Sequence, residues 1–249
     1  MARFDTLRNA THGAVGARSA AIDAGLRAHM NKVYATMSVG TLLTFLVAWA
    51  VGTSPELLSI FRDPVTLRPN ILGWIVMFAP LIMVFAFGAA LNRLSAAGAQ
   101  LFFYVFAAVM GLSMAWIFVA FTGLSIANVF LITSIAFAGL SLVGYTTKKD
   151  LSGMGTFLVM GVIGLVVAML VNLFLQSPAI MFAVSILGVL IFAGLTAYDT
   201  QRIKTEYIAH AQAADQEWLG KAAIMGALSL YLDFINMFMF LLQLFGNRE

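Results

Sequence analysis

One carboxylate stands alone in a long apolar stretch near the C-terminal end of the chain. Between Lys221 and Arg248 the one charged residue is Asp233. If this stretch enters a membrane near Ala222, Asp233 lies about 16 Å deep at ~1.5 Å per residue, which is halfway across a hydrocarbon core of ~30 Å. A carboxylate at that depth costs on the order of 3 kcal/mol or more unless it is protonated, paired or hydrated. The cost indicates a functional role for Asp233.

A second carboxylate, Asp199, ends the preceding apolar stretch and could be the partner of Asp233. Two carboxylates within a few ångströms cannot both ionise cheaply, so such a pair tends to share a proton. The pair could sense protons, bind a hard cation such as Ca²⁺ through its oxygens, or perform acid–base catalysis. Asn236 lies three residues after Asp233, on the same helical face, and could share its hydrogen bonds.

A basic residue could complete this group. Arg93 is the one Lys or Arg between Arg68 and Lys148, and it follows the second apolar stretch. It could pair with Asp199 as a latch at the cytosolic face. The alternative is an interfacial anchor, because long basic side chains are common at the cytosolic ends of spans. Asp199 could likewise be a helix-end residue in water.

Membrane-spanning helices must position these side chains. Of 249 residues, 61% are hydrophobic and 10% are charged, whereas soluble domains are about 25% charged. The composition therefore predicts an all-α integral membrane protein, and continuously apolar runs favour helices over a β-barrel. A polar N-terminal arm, residues 1–32, precedes one transmembrane domain, residues 33–249. The seven predicted spans are 33–53, 71–91, 98–121, 125–145, 154–176, 179–198 and 222–245.

The basic residues predict the orientation of this bundle. With the N-terminus in the cytosol, the cytosolic segments hold 11 of the 14 Lys and Arg residues, as the positive-inside rule requires. An odd number of spans then places the C-terminus outside, although a re-entrant seventh segment would reverse that last point. The formal charge of +3 reports topology and does not indicate nucleic-acid binding. The chain has no cysteine, which excludes disulfides and thiolate metal sites.

These spans do not by themselves bring the two aspartates together. Asp199 falls at the cytosolic end of the sixth span and Asp233 lies deeper in the seventh, with an axial offset of up to ~16 Å. Contact requires that the sixth helix continues further into the membrane than the predicted span 179–198, or that the seventh begins later.

Three sequence motifs indicate the type of protein more specifically than the composition does. Residues 192–201 contain Thr-Ala-Tyr-Asp-Thr-Gln, residues 225–236 end in Leu-Tyr-Leu-Asp-Phe-Ile-Asn, and residues 139–151 contain Gly-Tyr-Thr-Thr-Lys-Lys-Asp-Leu. Together they resemble the Bax inhibitor family, also called the transmembrane Bax inhibitor motif family. The segment Asp-Ala-Gly-Leu-Arg at 23–27 is similar to its bacterial members.

The resemblance implies a fold and a function. The fold has seven helices, six of which surround a central C-terminal helix. The function is a pH-sensitive Ca²⁺ leak, gated by paired aspartates that correspond to Asp199 and Asp233, with Tyr198 as a supporting polar residue. A latching arginine corresponds most closely to Arg93. The implied location is the bacterial inner membrane, with Ca²⁺ as a permeant or bound ion, no other cofactor and no enzymatic activity.

Two alternatives stay open. Bacterial members of the family are also linked to regulation of a membrane protease, so the chain could be a non-transporting regulator of that protease or of a stress response. An intramembrane aspartyl protease is the other alternative, since Tyr198-Asp199 matches the Tyr-Asp motif of presenilin-like enzymes. Those enzymes carry Gly-x-Gly-Asp at the second aspartate, whereas leucines at 230 and 232 precede Asp233 here.

Overall fold

The structure is a computed structural model that describes residues 2–248 apart from Val65, Leu67, Asn92, Ala211, Gln212 and Ala214, with side chains described from Ile22 onward. The regular secondary structure of that part of the chain is α-helical, and β pairing there is limited to two isolated bridges. The helices are α1 (Ala2–Gly52), α2 (Pro55–Phe61), α3 (Ile71–Ala90), α4 (Ala96–Met114), α5 (Ile117–Ala120), α6 (Gly123–Thr146), α7 (Ser152–Leu175), α8 (Pro178–His210) and α9 (Gln216–Phe245).

Seven helical segments in the described chain are long and apolar enough to cross a membrane. They are α1 from Ile22, α3, α4 together with α5, α6, α7, α8 and α9. The prediction of an all-α bundle with seven spans is therefore confirmed. The predicted N-terminal arm is not separated from the first span by a loop, because α1 is continuous across residue 32. The side chains of residues 1–21 in that arm lie outside the described residues.

The sixth span is much longer than its hydropathy suggests. α8 continues past the predicted end at residue 198 and ends at His210, so the whole helix has 33 residues. In this extension Ile203 and Tyr207 are buried, and they follow Asp199 at intervals of about one helical turn on the same face of α8. An amphipathic face therefore continues past the end of the apolar stretch. Asp215 then caps α9, since its Oδ1 accepts the Trp218 N–H at 2.6 Å. The connection between the last two helices is therefore only residues 211–215.

The C-terminal helix is the most buried of the spans. In the most apolar segment of α9, 67% of the residues are buried, compared with 11% in that of α3. Its main contacts are with α1, α4, α6 and α8, and edge-to-face aromatic pairs join Phe234 to Phe130 and Phe137 of α6. Four helices supply these contacts, so a ring of six helices around α9 stays a prediction.

A buried hydrogen-bond network joins α9 to α1 and α4. The Tyr231 hydroxyl, fully buried, lies 2.7 Å from Thr44 Oγ1, which in turn lies 2.8 Å from the Ala107 carbonyl oxygen and 3.0 Å from that of Gly40. The single hydroxyl proton of Thr44 goes to one of these carbonyls, so Tyr231 donates to Thr44. Three helices are thereby fixed at one level of the bundle.

We expect Tyr231→Phe to lower the free energy of unfolding by about 1 kcal/mol, because it removes one buried hydrogen bond and keeps the aromatic ring in place. Thermal unfolding in detergent, followed by circular dichroism, measures the change. Tyr104→Phe is the matched control, because Tyr104 is half-buried and its hydroxyl accepts a hydrogen bond of 3.1 Å from Gln100 of its own helix. Equal stability losses in the two variants would contradict the importance of the interhelical network.

Candidate functional site

The two aspartates singled out from the sequence line one cavity. It has a volume of about 360 Å³ and lies between α7, α8 and α9, with Asp199 on α8 and Asp233 on α9. Both residues are buried, with 7% and 4% of their surfaces exposed. The extension of α8 beyond residue 198 is what brings them together, because Asp199 then lies within a packed helix and not at its end.

One guanidinium stands beside this acid pair. Arg202 Nη1 lies 3.4 Å from Asp199 Oδ1, and its Nη2 donates a hydrogen bond of 3.3 Å to Ser229 Oγ on α9. The Arg202 side chain is about half exposed (48%), and its guanidinium also lies 5.9 Å from the centre of the Tyr198 ring. Arg202 therefore ties α8 to α9 and supplies one positive charge against two carboxylates.

The deeper carboxylate is incompletely satisfied. Asp233 Oδ2 is buried and has no hydrogen-bond partner among the described residues. Asn236 lines the same cavity, but its Nδ2 donates to the Leu232 carbonyl oxygen of its own helix at 2.8 Å. A buried polar atom without a partner is costly. Asp233 Oδ2 is thus a position where a proton or a cation would be stabilised.

The arginine beside Asp199 differs from the one expected. Arg93 is exposed in the turn after α3, and the ion pairs within the described chain place Arg202 on Asp199 instead. The physical reason is local. Once α8 continues past residue 198, Arg202 lies three residues from Asp199, on the same helical face. That spacing was visible in the sequence and was the signal that could have identified Arg202.

Tyr198 lines the acid cavity as well. Its ring approaches α7 so closely at Gly155 that a Cβ atom on that glycine would lie 2.5 Å from the ring. The small residue is therefore what lets α7 and α8 close one wall of the cavity.

The helical turn after Asp199 is fixed to the loop between α6 and α7. Gln201 Oε1 accepts the Leu151 N–H at 2.7 Å, and Gln201 Nε2 donates to the Lys149 carbonyl oxygen at 2.8 Å. Lys204 Nζ donates to the Tyr145 carbonyl oxygen at 2.7 Å. Two of the three sequence motifs thus meet here, and their contacts set the position of α8 around Asp199.

The cavity offers two carboxylates to a cation. Ca²⁺ in proteins takes 6–8 oxygen ligands, and the described residues contain no cluster of three or more His, Cys, Asp or Glu side chains that could hold a metal ion. One of the two carboxylates is also engaged with Arg202.

The fold and the site define a class: a multi-pass membrane protein of seven spanning helices, with an acid pair buried between the last two. A family model described as "Inhibitor of apoptosis-promoting Bax1" matches residues 26–249. The chain belongs to this family, as the motifs indicated.

Bacterial relatives match nearly the whole chain. The Escherichia coli inner membrane protein YbhL is 45% identical over 228 residues, which cover 91% of this chain and 94% of the relative. An uncharacterized protein of Caulobacter vibrioides is 43% identical over 232 residues, covering 92% of each chain. An uncharacterized protein of Rickettsia prowazekii is 41% identical over 228 residues, covering 91% of this chain and 92% of the relative.

Proposed function

We propose that the protein is a pH-sensitive cation leak of the bacterial inner membrane, in which protonation of Asp199 and Asp233 controls the passage of Ca²⁺. One observation carries the proposal: both carboxylates line a single cavity beside one guanidinium, and Asp233 Oδ2 lacks a partner among the described residues.

The charges around the cavity support proton control. α8 contributes Asp199 and Arg202, α9 contributes Asp233, and the lining residues from α7 are all apolar. With both carboxylates ionised, two negative charges face one positive charge in a poorly hydrated site, which attracts a cation. A bound proton cancels that excess charge and changes the contacts between α8 and α9.

Arg202 also lines a second cavity, of about 730 Å³, between α8, α9 and the end of α3. Glu206 and Lys221 line this cavity too, so its wall carries charges of both signs. A cation that moves between the two cavities passes Arg202. The ion pair of Arg202 with Asp199 is therefore the barrier that a change in protonation would release.

The orientation and location are part of the proposal. The name of the E. coli relative places that protein in the inner membrane, and the bias of Lys and Arg supports a cytosolic N-terminus. The second cavity then opens toward the cytosol. Protons and Ca²⁺ are the proposed partners in the bilayer, and Ca²⁺ is cargo.

The two alternatives differ in their support. Two leucines precede Asp233 at positions 230 and 232, and Leu230 is fully buried, so a substrate backbone has no glycine along which to approach. We propose no enzymatic role for this reason. A non-transporting role, in which the bundle regulates a membrane protease or a stress response, rests on the family relationship and predicts no ion flux.

Calcium entry into proteoliposomes tests the proposal. The purified protein is placed in liposomes that contain a calcium indicator, and entry is followed over a series from acidic to neutral pH. We expect flux above that of protein-free liposomes, and we expect it to change with pH. Flux equal to that of protein-free liposomes at every pH would overturn the leak and leave the non-transporting regulator.

A further inference from the structure

A wide groove runs between α1 and α6. Both helices pack on α9, whose Phe234 lines the groove, and they contact each other through the rings of Phe45 and Phe130, whose centroids lie 4.7 Å apart. The groove has a volume of about 820 Å³, within the range of ~300–1,000 Å³ that is typical of small-molecule sites. It is separate from the acid cavity, with which it shares no lining residue.

The wall of the groove is mostly apolar. Met37 and Phe45 of α1 face Phe130 and Phe137 of α6. From Tyr145 to Phe130 the α6 wall extends about 22 Å at ~1.5 Å per residue, whereas one leaflet of the hydrocarbon core is about 15 Å thick. The groove is therefore long enough for an acyl chain of one leaflet together with the polar groups above it.

One end of the groove is polar and basic. Arg27 and Asn31 of α1 meet Tyr145 of α6 there, and Lys148 follows three residues after Tyr145 in an exposed loop. Arg27 is exposed and makes no ion pair with any residue that the structure describes. Its guanidinium is available to bind a phosphate.

A buried hydroxyl lies one turn deeper. Ser141 lines the groove with only 5% of its surface exposed, and its Oγ has no hydrogen-bond partner among the described residues. Ser141 precedes Tyr145 by four residues, or about 6 Å along α6. Buried hydroxyl groups are normally satisfied, so Ser141 indicates that a ligand oxygen belongs at this depth.

We propose that this groove binds one phospholipid with an anionic headgroup. The order of chemical groups along the groove matches the order along such a lipid: Arg27 binds the phosphate, Ser141 donates to an ester carbonyl oxygen one turn deeper, and the aromatic walls hold an acyl chain. Basic pockets between spanning helices are known to bind anionic headgroups. This inference goes beyond the proposed leak and does not depend on it.

Native mass spectrometry of the purified, delipidated protein in detergent tests the site. The probes are phosphatidylglycerol and phosphatidylcholine with identical acyl chains. We expect one phosphatidylglycerol molecule to bind before all others, about fivefold tighter than phosphatidylcholine because of the contact with Arg27. Equal affinity for the two lipids would overturn the proposal.

Three variants locate the bound lipid. Ala138→Phe fills the groove from its α6 wall and should weaken binding at least tenfold, whereas Ala127→Phe, at an exposed position of the same helix outside the groove, should leave it unchanged. Arg27→Gln should remove the preference for phosphatidylglycerol, and Lys32→Gln, on the same helix but outside the groove, should not. Ser141→Ala should weaken both lipids about threefold to tenfold.

Three other results would contradict the proposed phospholipid site. Equal losses in Ala138→Phe and Ala127→Phe would show that the lipid binds to the general surface. A dimer that Ala138→Phe abolishes would show that a second copy of the chain occupies the groove. If Ala138→Phe fails to fold, Arg27→Gln and Ser141→Ala decide the matter, and unchanged lipid binding in both overturns the proposal.

Discussion

We expect Asp233→Asn to abolish the pH response of calcium flux and to lower the flux itself about tenfold or more. Asparagine has nearly the same shape as aspartate, but it neither ionises nor takes up a proton. The variant therefore removes a charge that attracts a cation in a buried site, and an interaction of about 1.4 kcal/mol already changes a rate tenfold. Flux into proteoliposomes across the pH series, normalised to the amount of inserted protein, gives both quantities.

Asp150→Asn is the matched control for this experiment. Asp150 lies in the exposed loop between α6 and α7, and its Oδ1 accepts hydrogen bonds from the Ser152 hydroxyl at 2.6 Å and the Ser152 N–H at 2.9 Å. These bonds lower the pKa of Asp150 below its ordinary value. Asp150 therefore stays ionised over the pH series and should contribute nothing to the response.

Asp199→Asn extends the test to the other carboxylate. It leaves Arg202 without its ionic partner on α8, so it should alter the pH response even if Asp233 alone takes up the proton. A pH response in Asp233→Asn equal to that of the unmodified protein would remove the acid pair from the mechanism. So would an equal loss in Asp150→Asn, because the effect would then not belong to the cavity.

Gly144→Ala destabilises the protein by about 1–3 kcal/mol. Gly144 lies where α6 crosses α8, and a Cβ atom there would collide with the backbone carbonyl of Ala197. The obstacle is backbone, so no side chain can rotate out of the way, and the two helices must separate. Ala197 is two residues before Asp199, so the same shift should disturb the acid cavity and the pH response of flux.

Gly139→Ala provides the contrast within the same helix. No atom lies within 4 Å of a Cβ built on Gly139, so alanine adds helix propensity without a clash and should stabilise the protein by up to ~1 kcal/mol. Thermal unfolding of both variants in the same detergent measures the opposite shifts. If both variants change stability in the same direction, the close contact at Gly144 does not hold α6 against α8.

The close approach at Gly144 also explains why one of the sequence motifs matters to the site. Gly144 and Tyr145 place α6 against α8, and the loop that follows is bound by Gln201 through two hydrogen bonds. Asp199 lies between these two attachments along α8. Backbone atoms of the motif at residues 139–151 make these contacts, and they act on the acid cavity through the position of α8.

Hydropathy by itself determined the seven spans and identified Asp233 as a buried group. The physical reason is that a bilayer admits only long apolar segments whose backbone is internally hydrogen-bonded, so charge gaps in the sequence mark the spans directly. The motifs identified the family. A cavity shared by Asp199 and Asp233, in contrast, could be expected from the spans only if the sixth helix continued further into the membrane than its apolar stretch or the seventh began later.

Only the tertiary structure decided that condition. Packing of Ile203 and Tyr207 extends α8 to His210, and helix ends in polar sequence depend on such packing more than on hydropathy. The extension places Arg202, and not Arg93, beside Asp199. The groove between α1 and α6 likewise exists because both helices pack on α9 and leave a gap, which no spacing of residues along the chain could reveal.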